Sequence, residues 1–549
     1  MGYIEKATRG QVTLLPDIIE EYISEENPVR VISAFVETLD LEALGVSKSR
    51  PAATGHPAYD PRDLLKLYVY GYFNKIRSSR RLMAECGRNV ELFWLVGKLT
   101  PDFRTIADFR KENAKALRQV FRAFVRLCVK MGLYKRELLA VDGTKVRAHN
   151  SDDNCYNEEV LEKKLRNIDK KLARYLAEMD AADHKECEDE LTAKQVSQAV
   201  AELKARKGLY ESYLSELQES GETQILTTDP EARRMHSKDG FHCCYNVQTA
   251  VDSDSHLIAE YEVTNHNTDQ GLLTQVCNQA KETLGVETIE AVADKGYESR
   301  NDIENCMMSG TMPQVALKYD KDERIFNIPY ENCEIKDEFK VSKKPEDIQK
   351  CLHAGILPDC YKNTTLSVEL QSRSEISCFI RNADNTVTCP AGKILSPIKY
   401  KENATIYASK EACRQCKNRC TASRGRKTVS FGPETDCVPV IMYGQGCKLQ
   451  QIPENARISP YNHTLDRTDY SPQKTVVIRI KDDKEKLKQR MCTVEHPFGT
   501  VKWYDGAHFV LCNVIEKATA ELGLSFLAYN LKRAIKIMGV PTLIAAMRG

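Results

Sequence analysis

Apolar residues recur three and four positions apart through the first quarter of the chain, which is the spacing of one buried face of an α-helix. A helix is expected to begin at Asp60-Pro61, because an aspartate cap followed by proline is a favoured helix start. Further helices are expected from Ser78 or Ser79 to Cys86, after the cap Asn89, and from the cap Thr105 to Val129. The pattern predicts an all-α domain over residues 1–135.

The pattern changes after residue 136, where short apolar and alternating runs predict strands. A buried strand over Leu138–Val141 ends in Asp142. Alternation over 245–251 and the run 257–264 predict a hairpin, and a helix from Thr268 and Asp269 stops at Gly285. A strand from Ile289 ends in Asp294, and a short helix and another strand follow to residue 317. This order predicts an α/β fold with a mixed sheet, not a doubly wound parallel one.

Two further segments interrupt this sheet in the sequence. Over residues 156–224, apolar positions follow the 4-3 spacing of a coiled-coil seam in two runs, which predicts an antiparallel hairpin. Periodicity fades over 321–482, where Pro, Cys, Asn and Lys are common. The predicted catalytic core therefore comprises 136–155 and 225–320, completed by helices over 483–549.

The composition is that of a soluble globular protein of several domains: 549 residues, 42% hydrophobic and 29% charged. There is no uncharged apolar run of membrane-spanning length, and the first residues lack the layout of a signal peptide. The chain has 20 cysteines and no export signal, so a reducing compartment is expected. We therefore expect a cytoplasmic protein that does not bind membranes. It would be associated with the nucleoid of a bacterium or archaeon.

Positive charge is concentrated in the helical region, although the whole chain has a net charge of only +1. From Asp60 to Glu137 there are 18 Lys and Arg against 8 Asp and Glu. Such a basic module indicates phosphate binding, with helix-turn-helix-like docking on DNA. The alternative is a solvated basic surface on an all-α domain. The candidate DNA contacts here are Arg77, Arg80, Arg81, Arg104 and Arg110.

Four cysteines in the fading region have a spacing that suits tetrahedral zinc. Cys413 and Cys416 form a CxxC pair, and Cys389 and Cys420 supply two more thiols at workable distances. Cys378 and Cys437 are alternative fourth ligands. With so many cysteines in the chain, chance spacing is the competing explanation of this possible structural zinc site.

Three carboxylates stand out by position: Asp142 and Asp294 at predicted strand ends, and Glu495 on a later helix. Three converging carboxylates are typical of a two-metal phosphoryl-transfer site, and Mg²⁺ (or Mn²⁺) prefers such oxygen ligands. Ordinary turn aspartates and a solvated glutamate are the alternative. Asp252 and Asp269 are rival carboxylates, interpreted here as a turn residue and a helix cap.

Glu495 and Lys502 are seven residues apart, so an α-helix would bring them to within roughly 20° of one face. A plain helix-face ion pair is the commoner meaning of that spacing. Pro497 and Gly499 weaken an uninterrupted helix here.

Taken together, the motifs resemble those of the Asp-Asp-Glu (DDE) transposases of bacterial insertion sequences, whose catalytic fold is RNase H-like. The similar stretches are Val141-Asp142-Gly143-Thr144, Tyr245 to Asp252, Ala293 to Tyr297, Glu495-x6-Lys502, Pro101-Asp102 with Thr105-Ile106 and Phe109-Arg110, Cys389-Pro390, and Ala528-Tyr529-Asn530-Leu531. The family often has an Arg four residues before the Glu and a Tyr three before that. Here these positions are Met491 and Lys488, and Arg490 lies one step from the expected Arg.

The resemblance implies an enzyme that binds the terminal inverted repeats of its element, cuts DNA and joins the 3′-hydroxyl ends to target DNA. Asp142, Asp294 and Glu495 would hold the metals. Double-stranded DNA would contact Lys502, Lys145, Arg147, Lys295 and Arg490. A homodimer or higher oligomer is expected, since two transposon ends must be held together. The alternatives are an RNase H-fold nuclease that cuts without joining, and a catalytically silent DNA-binding protein descended from a transposase.

Overall fold

The computed structural model describes residues 18–50, 57–183, 190–237, 239–317, 323–372, 376–401, 404–414, 416, 420, 426–442, 457 and 474–548. The chain divides into two compact units. The first comprises Met1–Asp302 with Glu485–Gly549, and the second comprises Ile303–Lys484. The helical region, the mixed sheet and the C-terminal helices therefore share the first unit.

The helical region contains six described α-helices after a short 3-10 turn at Ile19–Tyr22. They are α1 (Val29–Glu37), α2 (Pro61–Phe73), α3 (Ser79–Cys86), α4 (Val90–Leu95), α5 (Phe103–Glu112) and α6 (Ala114–Lys130). Two predicted caps are confirmed: Asp60 accepts a hydrogen bond from the Arg62 N–H, and Asn89 accepts one from the Glu91 N–H.

The single long helix expected from Thr105 is wrong, because two helices occupy this stretch. Asp102 caps the first by accepting from the Arg104 N–H, and the break between them falls at Asn113. The Asn113 side chain is buried, accepts from the Ser47 N–H at 2.7 Å and donates to the Phe109 carbonyl at 2.8 Å. These bonds explain why an asparagine interrupts an otherwise apolar helical pattern.

A mixed sheet forms the centre of the first unit. Its strands there are β1 (Leu138–Arg147), β4 (Arg233–Ser237), β5 (Gly240–Asp252), β6 (Ile258–Thr264) and β7 (Ile289–Ala293), and a separate short pair is β2 (Cys155–Tyr156) with β3 (Ile225–Leu226). The order is β4-β5-β1-β7, with β6 also pairing with β5. Strand β1 runs antiparallel to β5 and parallel to β7, which confirms a mixed sheet.

Two long helices, α7 (Glu158–Asp183) and α8 (Glu190–Ser220), leave and rejoin the sheet region. Leu161 packs in one cluster with Leu217, and Asp169 pairs with Lys207 at 2.7 Å. Residues further along α7 contact residues earlier in α8, so the two helices run antiparallel. Helix α9 (Leu273–Leu284) follows β6 and ends at Gly285 with a φ of 67°, as predicted.

The C-terminal segment supplies α14 (Lys484–Phe498), a π-helical turn (Gly499–Tyr504), α15 (Ile515–Met538) and α16 (Val540–Arg548). Most of α15 is buried. The Asn530 side chain accepts from the Ile258 N–H at 2.9 Å and donates to the Ile258 carbonyl at 2.8 Å. One buried amide thus satisfies both backbone groups of a β6 residue and fixes α15 against the sheet.

The second unit is rich in strands. Helix α10 (Arg300–Met308) begins in the first unit, and the helices that lie wholly in the second are α11 (Asp337–Val341), α12 (Pro345–His353) and α13 (Lys410–Arg414). The strands of the second unit are β8 (Thr311–Val315), β9 (Glu323–Pro329), β10 (Leu366–Ser372), β11 (Ile376–Arg381), β12 (Val387–Thr388), β13 (Ile394–Lys401), β14 (Ala404–Ala408), β15 (Val429–Phe431), β16 (Cys437–Ile441) and β17 (Lys474–Lys481). One sheet has the order β10-β17-β9 and another β15-β14-β13-β12-β11-β16. The region 321–482, in which no clear periodicity of apolar residues was found, therefore contributes strands to two antiparallel sheets. No helix among the described residues is long and apolar enough to cross a membrane.

Candidate active site

Asp142 and Asp294 lie on neighbouring parallel strands. In the register of β1 and β7, Ala140 is opposite Val292. Each aspartate follows its strand residue by two positions, so both side chains reach the same level and the same face of the sheet. Asp142 is not at a strand end as predicted, because β1 continues to Arg147 along β5; it lies where the pairing with β7 stops.

The Asp142 carboxyl occupies a crowded, largely buried position. Burial raises its pKa to about 6, and the negative charges of Asp294 and Asp269 add to that effect. The opposing influences are Arg490, whose Nη1 lies 3.4 Å from Asp142 Oδ2, and the Gly143 N–H, which donates to Oδ1 at 2.9 Å. The positive charge and hydrogen bonds that the protein supplies therefore do not fully stabilise the negative charge of an ionised Asp142.

Asp294 closes the turn that follows β7. Its Oδ1 accepts a hydrogen bond from the Gly296 N–H at 2.7 Å and so caps the short 3-10 turn Lys295–Tyr297. The turn holds the carboxylate at the edge of the sheet beside Asp142. Strand ends of this kind are the usual location of ligand sites in α/β proteins.

Helix α14 lies over the two strands that carry the aspartates. Val494 packs in one cluster with Ala140 and Val292, and Leu487 contacts the same cluster. Near the helix start, Lys486 pairs with Glu290 at 2.7 Å, whereas Arg490 reaches Asp142. The helix therefore runs in the direction of β1 and β7, towards the ends that bear the two acids.

Glu495 follows Val494 on this helix and is exposed. The helix continues through Pro497 to Phe498 and then becomes π-helical over Gly499–Tyr504. The π-helical turn changes the angle per residue, so the ideal α-helical rotation assumed between Glu495 and Lys502 does not apply. Lys502 instead donates to the Lys145 carbonyl at 2.7 Å and to Thr144 Oγ1 at 3.3 Å, just beyond Asp142 on β1.

Asp269 is a fourth carboxylate at this site, and its interpretation as a helix cap is wrong because α9 begins at Leu273. Its Oδ1 accepts from the side-chain amides of Asn246 and Gln248, each at 2.8 Å, and Lys145 Nζ lies 3.5 Å away. The Tyr297 hydroxyl donates to Gln248 Oε1. This network joins β1, β5 and the turn after β7.

The network needs glycine at position 143. A Cβ atom there would clash with Gln248 Nε2 and lie 2.7 Å from Asp269 Oδ1, so both side chains would have to move and their mutual hydrogen bond would be disturbed. The sequence offered a signal for this site: Asn246 and Gln248 are polar residues inside a strand that is otherwise apolar, and both are fully buried. Buried amides require partners, and Asp269 supplies them.

The four acids are not arranged as a closed metal site. Among the residues that the structure describes, no group of three or more His, Cys, Asp and Glu side chains is placed to hold a metal ion. The donor set at Asp142 and Asp294 is nevertheless made of hard carboxylate oxygens, which suits Mg²⁺ or Mn²⁺. The raised pKa of Asp142 also fits a position that a cation would stabilise.

Two family models match the chain. One, described as a transposase domain (DUF772), matches residues 17–112, and the other, a transposase DDE domain, matches residues 133–324. The chain belongs to the DDE transposases of insertion sequences. The DDE match includes Asp142, Asp269 and Asp294, whereas Glu495 and Lys502 lie beyond its end.

Comparison with individual proteins adds little to the family match. A cryo-EM structure of a piggyBac transposase synaptic complex with hairpin DNA is 8% identical, with 95% of this chain and 79% of that chain covered at a TM-score of 0.27. No curated protein matches the chain significantly.

The candidate DNA contacts of the transposase fall into two groups. Near the acids, Lys295 is exposed, Lys145 is turned towards Asp269, and Arg147 pairs with Asp239 at 2.8 Å. In the helical region, Arg80, Arg81 and Arg104 are exposed.

Two of the predicted arginine contacts face into the protein. Arg77 is largely buried and donates to Glu521 at 2.6 Å, and Arg110 donates to the Tyr72 hydroxyl at 3.1 Å. These two arginines hold helices together in this structure.

The predicted zinc ligands are neighbours in the second unit, but they are not placed as a group that would hold a metal ion in this structure. Burial raises the pKa of the Cys389 thiol, and the negative charges of Cys413 and Cys416 add to that effect. Burial likewise raises the pKa of Cys420 to about 11, with smaller contributions from Cys389 and Cys413. The Cys389 sulfur accepts a hydrogen bond from the Lys393 N–H at 3.3 Å.

The alternative fourth ligands lie elsewhere. Cys378 and Cys437 pack against each other on β11 and β16, in a cluster separate from that of Cys389. The cysteines that the structure describes form no disulfide bond.

Proposed function

We propose that this transposase cuts DNA at the terminal inverted repeats of its own element and joins the freed 3′-hydroxyl to target DNA. The observation that carries the proposal is the side-by-side placement of Asp142 and Asp294 on parallel strands under the helix that bears Glu495. In each step an oxygen nucleophile, water for cutting and the 3′-hydroxyl for joining, attacks a phosphodiester in line and displaces the leaving oxygen.

Asp142, Asp294 and Glu495 are the residues that would hold two Mg²⁺ or Mn²⁺ ions. Bound there, the ions would lower the pKa of the attacking oxygen and neutralise charge on the leaving oxygen. Two observations support binding of these ions: carboxylate oxygens are suitable ligands, and the raised pKa of Asp142 shows that its negative charge is poorly stabilised by the protein. Glu495 is exposed, so it would have to turn towards the aspartates when DNA and metal bind.

Lys502 and Arg490 are the cations best placed to bind the reacting phosphate. Lys502 is held against β1 by the Lys145 carbonyl and Thr144, next to Asp142. Arg490 partly neutralises Asp142 at 3.4 Å, and it becomes available to a phosphate once another cation takes over that role. Lys295 and the exposed Arg80, Arg81 and Arg104 would bind the backbone of the duplex further from the cut, in a complex that pairs two DNA ends through a dimer or higher oligomer.

We also propose a structural zinc ion held by Cys389, Cys413, Cys416 and Cys420. Support comes from the mutual proximity of the four thiols and from the N–H donor to Cys389, because zinc binds thiolates and such hydrogen bonds stabilise them. Zinc content by elemental analysis is expected to fall in Cys413→Ser but not in the control Cys333→Ser, which removes an exposed thiol outside the four proposed ligands. Equal zinc content in both variants would contradict this assignment.

A strand-transfer assay tests the main proposal. The purified chain is mixed with pre-cut duplexes from the ends of its element and a target plasmid, with Mg²⁺ or with EDTA. Joined products are expected in the reaction with Mg²⁺ and not in the reaction with EDTA. They are expected to be absent with the Asp142→Asn and Asp294→Asn variants but present with the surface control Asp254→Asn. Nicked but unjoined DNA would favour a nuclease, and binding without either reaction would favour a silent DNA-binding protein.

A further inference from the structure

Two large aromatic side chains next to the active site are unusually exposed. Trp503 and Tyr504 are each 68% exposed, more than any other aromatic residue that the structure describes. They belong to the aromatic segment, defined here as residues 503–509, which also contains His508 and Phe509. Clustered exposed aromatic rings typically mark a binding surface.

The aromatic segment is fixed to the strand that carries Asp142. Arg147 at the end of β1 donates its N–H to the His508 carbonyl at 3.0 Å, and its carbonyl accepts from the Val510 N–H at 2.9 Å. At the other end, Lys502 is bound to Thr144 and to the Lys145 carbonyl. The segment is therefore held at both ends along the five residues of β1 that follow Asp142.

The rings themselves are ordered and accompanied by positive charge. Trp503 stacks on His508 with a centroid distance of 5.9 Å and an interplanar angle of 13°. The Lys75 ammonium lies 3.1 Å from the centroid of the Tyr504 ring, and Lys502 Nζ lies 5.6 Å from that of Trp503. A preformed ring surface loses little conformational freedom when a ligand binds.

We propose that Trp503, supported by His508 and flanked by Tyr504, stacks on an unpaired nucleobase of the DNA strand whose phosphate lies at Asp142. This inference rests on the proposed function, since it concerns the same DNA. Flat rings with cations beside them match a base and its phosphate, whereas the cations would be poorly placed against an apolar protein surface. Bases inside an intact duplex are stacked on each other, so the ligand must be an overhang or a displaced base.

Binding measurements with three probe DNAs test the proposal: a fully paired duplex, the same duplex with a single-stranded adenine overhang, and the same overhang made abasic. Trp503→Ala is expected to weaken binding of the adenine overhang by about 5- to 150-fold, the range typical of one stacked base. It should leave binding of the paired and abasic probes nearly unchanged. Trp503→Phe keeps a ring and should retain most of the preference, and Tyr400→Ala, which removes an aromatic residue exposed to 67% in the second unit, should have no effect.

Fluorescence gives a second readout. The chain has 2 tryptophans, so Trp94→Phe leaves Trp503 as the sole tryptophan, whose emission can be excited selectively over that of the tyrosines. The adenine overhang is expected to quench its emission, and the abasic overhang is not.

Three outcomes are informative. If Trp503→Ala binds the adenine overhang as tightly as the wild type while strand transfer proceeds, this inference fails and the proposed function stands. If the wild type binds none of the three probes, the proposed function fails as well. If Trp503→Ala dissociates an oligomer without changing the preference for the overhang, the surface is an interface between copies and the inference is overturned.

Discussion

Replacing Asp142 by asparagine should stabilise the metal-free protein above neutral pH, even though it removes a proposed catalytic group. In the folded protein, burial raises the pKa of this carboxyl to about 6, from the 3.8 of an ordinary aspartate. The ionised form is therefore disfavoured by folding. Asparagine has nearly the same shape, can still accept from the Gly143 N–H and carries no charge.

The magnitude follows from the two pKa values. At a pH above both, the difference corresponds to about 2 to 3 kcal/mol, where the lower figure allows for solvent at a side chain that is 25% exposed. Because folding raises this pKa, the stability that Asp142 contributes is complete below pH 3.8 and is lost as pH rises through 6. The advantage of asparagine should therefore be full at pH 8, about half at pH 5, and absent below pH 3.8.

Urea unfolding in EDTA, at pH 8 and at pH 5, measures this effect as a difference in free energy of unfolding. Asp254→Asn is the control, since Asp254 is an exposed turn residue paired with Lys135 and should show no gain. Adding Mn²⁺ at pH 8 should stabilise the wild type but not Asp142→Asn. The reasoning is refuted if Asp142→Asn is less stable than the wild type at pH 8, or if its advantage is equal at both pH values.

Three further predictions concern residues around the site. Glu495→Gln should abolish strand transfer but leave DNA binding within about 3-fold of the wild type, since one exposed charge contributes little to affinity; a large loss of binding in a mobility-shift assay would contradict it. Asp269→Ala should destabilise the fold by about 1 to 3 kcal/mol, because it removes the oxygen that accepts from both buried amides of Asn246 and Gln248, and a neutral result in urea unfolding would show that the network is unimportant. Asn530→Leu should cost about 1 to 3 kcal/mol by removing the acceptor of the buried Ile258 N–H, while the Ile258 carbonyl keeps the Tyr134 hydroxyl as a donor; wild-type stability would exclude that role.

The sequence was most informative where structure is decided locally. The β5–β6 hairpin, the strand before Asp294 and the stop at Gly285 follow from side-chain alternation and from the left-handed backbone that glycine allows. The adjacency of Asp142 and Asp294 was also predictable, because each follows a short apolar run, Leu138–Val141 for the first and Ile289–Ala293 for the second.

Features that depend on tertiary partners were not predictable in the same way. Asp269 follows Thr268 ahead of an apolar helical run, so its sequence context is that of a cap, but its partners lie on β5, about twenty residues earlier in the chain. The π-helical turn after Phe498 altered the relation of Glu495 to Lys502, which an ideal helix could not reveal. The strands of the second unit alternate weakly, since several, such as β13, are mostly exposed on both faces.

The central claim is that Asp142 and Asp294, joined by Glu495, hold the catalytic metal ions. Anomalous scattering from manganese in crystals of the protein grown with a cleaved DNA end and Mn²⁺ tests it most directly. Anomalous density is expected in contact with Asp142 and Asp294, with Glu495 turned towards it and Arg490 moved away from Asp142. Manganese bound elsewhere, with Arg490 still paired to Asp142, would contradict it.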